Sequence, residues 1–173
     1  MKILSSLLSA AAALAFVGCA PKEKPAAAPA PAAAKAPAAP AGPRVIEIET
    51  NDTTFMMKFS VKAITAAPGE ELRVVFTNKS ALPKAAMGHN LIFLQKGTDM
   101  DEFIPAAALY KDTTGVAPEM ESKVIAHTKV LGPGEKEELV FKAPAEPGDY
   151  DYICSFPGHY LTGMKGLLTV KAK

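Results

Sequence analysis

An all-β, Greek-key β-sandwich is the fold predicted for residues 44–173 of this 173-residue chain, and three observations carry that prediction. Seven short runs are rich in β-branched and aromatic residues. Gly- and Pro-containing turns separate many of them. The 130 residues involved make one domain of ordinary size, large enough to bury a proper core.

Residues 45–49 (VIEIE), 58–62 (KFSVK), 72–77 (LRVVFT) and 91–94 (LIFL) read as strands. Residues 138–142 (ELVFK), 150–154 (YDYIC) and 167–170 (LLTV) continue the series. Pro68-Gly69, Gly132-Pro133-Gly134 and Pro147-Gly148 are turn signals between them. So many strands in one domain of this length argue a sandwich with Greek-key connections. The stretch 98–126 differs and predicts a short helical insertion. Thr98 or Asp99 can cap an amphipathic segment with Met100, Phe103, Ile104 and Ala107 on one side. Pro105 interrupts any long helix there, so one or two short helical turns are expected.

The residues before this domain fall into two parts. Met1-Lys2 precedes an apolar, Ala/Leu-rich run through Val17, the layout of an export signal and too short for a stable membrane span. Phe16-Val17-Gly18-Cys19 resembles the lipobox of bacterial lipoproteins, with Phe16 where Leu is usual. The resemblance implies a signal peptide over 1–18, cleavage before Cys19 and a lipid on that Cys. Ala20 rather than Asp follows, which favours the outer membrane where a bacterium has two. Residues 20–43 are Ala or Pro at 19 of 24 positions. Such a segment buries no core and favours an extended, semi-rigid form, roughly 70 Å long at about 3.1 Å per residue. Residues 19–43 are therefore expected to be a lipidated tether that holds the domain away from a membrane.

Residues 44–173 carry 15 Lys/Arg against 17 Asp/Glu, a balance that excludes a nucleic-acid binder with a basic face. Cys154 is the domain's only cysteine. In an exported, oxidising compartment a single thiol with no second cysteine in its domain needs a reason, and metal ligation supplies one.

Cys154, His159 and Met164 lie within eleven residues, as CSFPGHYLTGM, and His89 stands far upstream in MGHN. One thiolate, one thioether and two imidazoles form a soft N/S set that suits copper cycling between Cu(I) and Cu(II). Such a set is poorly matched to calcium or magnesium and less suited to zinc. Cys154 ends a strand, Phe156-Pro157-Gly158 turns the chain, and His159 and Met164 can then reach one point. His89 begins another strand and is expected to approach from the neighbouring sheet edge. His127 has no neighbouring ligand residues and is left out of the site.

The chain resembles the azurins and auracyanins of the cupredoxin family of small blue-copper proteins. The matching segments are LPK at 82–84, MGHN at 87–90, VIAHTK at 124–129, GEK at 134–136, CSFPGH at 154–159 and MKG at 164–166. The resemblance implies one copper ion held by His89, Cys154 and His159 as strong equatorial ligands, with Met164 as the weak axial one. It also implies that the Gly88 carbonyl lies near copper on the opposite axial side. Asn90 would tie the two ligand loops together, and its amide and that of Phe156 would donate toward the Cys154 sulfur. Three departures are visible. Four residues separate His159 from Met164, as in auracyanins, where azurins have three. The azurin disulfide at the far end of the barrel has no cysteines here. Asn78 stands where azurins often place another histidine.

The expected function is therefore a membrane-tethered one-electron carrier rather than an enzyme. Electrons would pass through the His159 edge, within an apolar patch of Met87, Pro157, Leu161 and Met57. The expected partners are c-type cytochromes, membrane electron-transport complexes or periplasmic reductases. With three histidines in the chain there is no provision for the second copper site of a nitrite reductase subunit. The alternative is a copper-binding lipoprotein for buffering or delivery, against which stands the lack of any Met-rich or His-rich tract.

Overall fold

The computed structural model describes residues 42–50 and 57–172; the expected signal peptide, Cys19 and most of the expected tether lie outside them. Among the described residues, eight strands form two sheets. The strands are β1 (Arg44–Glu49), β2 (Ala63–Ala66), β3 (Glu71–Thr77), β4 (Ile92–Leu94), β5 (Val124–His127), β6 (Lys136–Lys142), β7 (Gly148–Ile153) and β8 (Lys165–Val170). One sheet has the order β1-β3-β6 and the other β2-β8-β7-β4-β5. The β1–β3 and β2–β8 pairs are parallel, and the remaining pairs are antiparallel. Non-sequential neighbours in both sheets are the Greek-key wiring expected for this β-sandwich.

Period-two alternation sets the inner faces. In β3, Leu72, Val74 and Phe76 are fully buried, while Glu71 and Arg73 face water. Tyr150 and Tyr152 of β7 and Leu168 and Val170 of β8 close the core from the other sheet. Aromatic rings knit the layers: Phe59 meets Phe76 edge-on at 5.8 Å, and Phe93 lies 5.2 Å from Tyr152.

All three residues of β4 are buried, because this strand is covered on both faces. Phe93 enters the main core, whereas Ile92 and Leu94 enter a second cluster with Phe103, Ala107, Val116 and Met120. That second cluster lies under α2 (Met100–Ala108) and a 3-10 helix, Pro118–Lys123. Asp99 caps α2 by accepting the Asp101 amide at 2.8 Å.

Three local expectations are revised, and one element is added. First, α2 runs through Pro105 instead of stopping at it. Pro105 sits on the exposed side, and Phe103 and Ala107 anchor the opposite face in the second cluster. Second, residues 124–126, assigned to the helical insertion, belong to β5, which pairs with β4 at the sheet edge. Third, the run 58–62 is not a strand; within it Phe59 makes one isolated bridge to Thr50. The strand lies at Ala63–Ala66 instead, where pairing with β8 buries Ile64 and Ala66. Pairing and burial outweigh intrinsic β preference here. The added element is a four-residue helix, α1 (Lys84–Met87), which precedes the His89 segment without a strong sequence signal. Among the described residues no helix is long and apolar enough to cross a membrane.

Candidate metal centre

β7 and β4 are adjacent antiparallel strands, with Ile153 opposite Ile92. Cys154 follows β7 directly, and His89 stands three residues before β4. The two therefore emerge at the same end of one sheet, from neighbouring strands. His89 is additionally held by a two-way backbone bridge: its amide donates to the Leu131 carbonyl at 3.1 Å, and the Leu131 amide donates back at 2.7 Å.

The remaining side chains arrive on a loop closed by its own backbone. The Cys154 amide donates to the Met164 carbonyl at 3.1 Å, and the Met164 amide to the His159 carbonyl at 3.0 Å. Within it, the His159 amide donates to Phe156 at 3.0 Å and the Thr162 amide to Gly158 at 3.1 Å. The extra residue between His159 and Met164 is thus absorbed in a compact turn.

The ligand atoms of His89, Cys154 and His159 all lie within 4.8 Å of one another. His159 Nδ1 is 3.4 Å from the Cys154 sulfur, and His89 Nδ1 is 3.9 Å from it. The Met164 sulfur is 3.2 Å from His89 Nδ1. The two imidazole rings are 4.6 Å apart between centroids. His89, Cys154 and Met164 have no exposed surface, and His159 is 3% exposed. Burial lowers the His89 pKa to about 4, so its ring is neutral near pH 7 and keeps a lone pair for a metal. Two imidazole nitrogens, a thiol that ionises on ligation and a thioether, converging in a buried site, fit one copper ion.

The surroundings fix this arrangement. Asn90 Oδ1 accepts the Ser155 amide at 2.9 Å, and its Nδ2 donates to Ser155 Oγ at 2.9 Å and to the Thr114 carbonyl at 2.7 Å. Ser155 Oγ donates in turn to the Gly115 carbonyl at 2.7 Å. Gly115 has a φ of +68°, and a Cβ there would strike Asn90 Nδ2 and Ser155 Oγ. A Cβ on Gly88 would come within 2.6 Å of Val130 Cγ1 and 2.8 Å of the Lys84 carbonyl. Phe156 stacks 4.8 Å from the His159 ring, between centroids.

The sequence-derived candidates His89, Cys154, His159 and Met164 come together; Gly88, Asn90 and Phe156 stand around them. Cys19 lies outside the described residues. His127 is elsewhere, on β5, with Nδ1 3.1 Å from the Thr128 carbonyl and Nε2 3.9 Å from Glu121. Of the expected apolar patch, Leu161 is 80% exposed and Pro157 is exposed, whereas Met57 and Met87 are half-buried. The His159 edge reaches solvent only as a sliver, since Phe156 packs on its ring. Asn78, Thr114, Gly115 and Ser155 had no assigned place in the site. Gly115 carries a turn signal, but sequence alone does not say what crowds it.

The family model for copper binding proteins, plastocyanin/azurin family, matches residues 46–171. The chain belongs to that family. His89, Cys154, His159 and Met164 are arranged as the copper site of this cupredoxin domain. The domain is 38% identical over 125 residues to an azurin of Pseudomonas fluorescens biotype A, covering 70% of this chain and 96% of that protein. It is 40% identical over 121 residues to outer membrane protein H.8 of Neisseria gonorrhoeae, covering 69% of this chain and 63% of that protein's length. A dithionite-reduced auracyanin from the photosynthetic bacterium Roseiflexus castenholzii superimposes with a TM-score of 0.64 and 31% identity. That match covers 76% of this chain and all of the auracyanin.

Proposed function

We propose that this cupredoxin is a one-electron carrier, tethered by lipid on Cys19 to a bacterial membrane and facing the periplasm or exterior. The observation that supports it best is the convergence of His89, Cys154 and His159 donor atoms within 4.8 Å, with the Met164 sulfur beside them. Copper bound there supplies a one-electron couple, Cu(I)/Cu(II). In this reading His89, Cys154 and His159 would hold the copper, with Met164 and the Gly88 carbonyl as weaker partners beside it. By the family likeness, the backbone amides of Asn90 and Phe156 would direct partial positive charge toward the Cys154 sulfur.

The protein's own part is to keep these groups still. The closed 154–164 loop, the His89–Leu131 bridge and the Asn90 carboxamide hold the donors in one arrangement. Electron exchange is slowed when ligands must move between oxidation states, so a rigid site favours transfer. Complete burial of His89, Cys154 and Met164 keeps water out. The same burial argues against copper buffering or delivery, which calls for accessible ligands and rapid exchange. Exposed Leu161 and Pro157 near His159 give an apolar surface for brief docking of a c-type cytochrome or a membrane electron-transport complex. The lipobox-like residues ending at Cys19 and the likeness to an outer membrane protein support the anchor, with the outer membrane favoured if two are present.

Copper titration of the purified protein tests the carrier reading. One equivalent should produce an intense visible thiolate-to-copper band that bleaches and returns on reduction and reoxidation, and Cys154→Ser should abolish it. A colourless copper-loaded wild type would overturn the reading. Cys19→Ser should release the protein from membranes; retention at wild-type level would sink the lipid anchor.

A further inference from the structure

Asn78 follows β3 at the end nearest the ligands, and this polar residue is completely buried. Its main chain is fixed by the turn before β6. The Asn78 amide donates to the Glu135 carbonyl at 2.9 Å, and the Gly134 amide donates to the Asn78 carbonyl at 2.9 Å. From this fixed base the carboxamide makes contacts on two sides. Its Oδ1 accepts the Ser80 amide at 2.8 Å and faces the Thr50 hydroxyl at 3.5 Å. Its Nδ2 donates to the Leu131 carbonyl at 2.9 Å and reaches the Met87 carbonyl at 3.5 Å.

Leu131 is the residue bridged to His89. Its carbonyl therefore receives two donors, the His89 amide and the Asn78 carboxamide. Met87, the other carbonyl reached, lies two residues before His89 in the chain. His89 is the ligand most remote in sequence from the other three. Asn90 secures it toward the Cys154 loop, and Asn78 is placed to secure it from the opposite side. We propose that Asn78 is a positioning residue of the metal centre, acting through the Leu131 carbonyl on the main chain that carries His89. This rests on the copper reading of the site, but its first test does not need copper.

Asn78→Leu keeps the branched four-atom side-chain skeleton, at a larger volume, and removes every carboxamide hydrogen bond; Asn78→Ser is the smaller fallback if that variant does not fold. Thr50→Val is the control, because it removes the 3.5 Å contact to Oδ1, together with the bond that Thr50 Oγ1 accepts from the Lys79 amide, and leaves the Leu131 bond in place. In the metal-free protein, the His89 and Leu131 amides should exchange with solvent about tenfold faster relative to Val74 in mid-β3. In the copper-loaded protein, the ratio of Cu(II) to Cu(I) affinity should shift about threefold or more, read from the reduction potential. Thr50→Val should change neither. If Asn78→Leu lowers thermal stability yet leaves both His89 exchange and the affinity ratio at wild type, Asn78 is only a structural residue and the proposal is wrong. If the wild type binds no copper, the carrier reading fails, and the exchange measurement still decides the role of Asn78.

Discussion

Asn90 and Ser155, 65 residues apart in the chain, hold each other through two hydrogen bonds of 2.9 Å: amide to Oδ1 and Nδ2 to Oγ. One residue of this pair follows the ligand His89 and the other follows the ligand Cys154. Their mutual grip fixes the spacing of two donors that the chain itself does not connect.

Replacing Asn90 by Ala should therefore leave the buried Ser155 amide and the half-buried Thr114 carbonyl without that partner. An unsatisfied buried group costs about 1–3 kcal/mol, so chemical denaturation of the metal-free protein should show a loss of about 2–3 kcal/mol. Copper affinity should fall about 10- to 100-fold, measured by competition with a chelator.

Gly115→Ala separates backbone strain from collision. Gly134 has a similar φ of +70° but open space around its Cβ position, so Gly134→Ala should cost about 1 kcal/mol from conformation alone. Gly115→Ala adds overlap with Asn90 Nδ2 and Ser155 Oγ and should cost about 2 kcal/mol more. Equal losses in urea titrations of the two variants would show that the Asn90 network yields without penalty.

Arg44 secures the end of the sandwich remote from the ligands, where the azurin disulfide has no cysteines to form it here. Its Nε donates to Glu70 Oε1 at 2.7 Å and its Nη2 to the Thr65 carbonyl at 2.7 Å, while Glu70 Oε2 accepts the Ala67 amide at 2.8 Å. This joins the start of β1 to the end of β2 and the turn before β3. Arg44→Ala should lower stability by about 1 kcal/mol, since the carboxylate is partly shielded and the guanidinium makes two bonds. Lys96→Ala, which breaks the exposed pair with Glu146, should have no measurable effect on the thermal midpoint.

Acid should weaken the metal-free domain through His89. Its pKa falls from 6.5 to about 4 on folding because burial disfavours the cation. The unfolded chain therefore binds the proton more readily, and stability is lost as pH falls from about 6.5 toward 4, by about 3 kcal/mol in all. Above pH 6.5 the residue contributes no slope. Urea midpoints measured across this range should fall with pH in the wild type and much less in His89→Asn.

The ligand set was legible because three of its members share one short loop, where spacing along the chain nearly equals proximity in space. His89 was legible through its Gly-His-Asn setting, not through distance. The supports were not: Gly115 and Ser155 meet across 40 residues, and Asn78 and Leu131 across 53, through bonds that depend on how the sheets close. Strand positions were readable where inward residues alternate, as in β3, and displaced where pairing decided, as at Ala63–Ala66. Pro105 misled because its cost depends on which face of α2 it occupies, and only the second apolar cluster fixes that face.

The parallel pairing of β1 with β3 has a mechanical consequence. Arg44 lies beside Leu72, and five residues later Glu49 lies beside Thr77, next to Thr50 and Asn78. Tension applied to the segment preceding Arg44 is thus borne first by the Glu70 and Thr65 attachments, about 17 Å of strand away from the ligand end. A leash fastened at that corner can be tugged without straining the histidines.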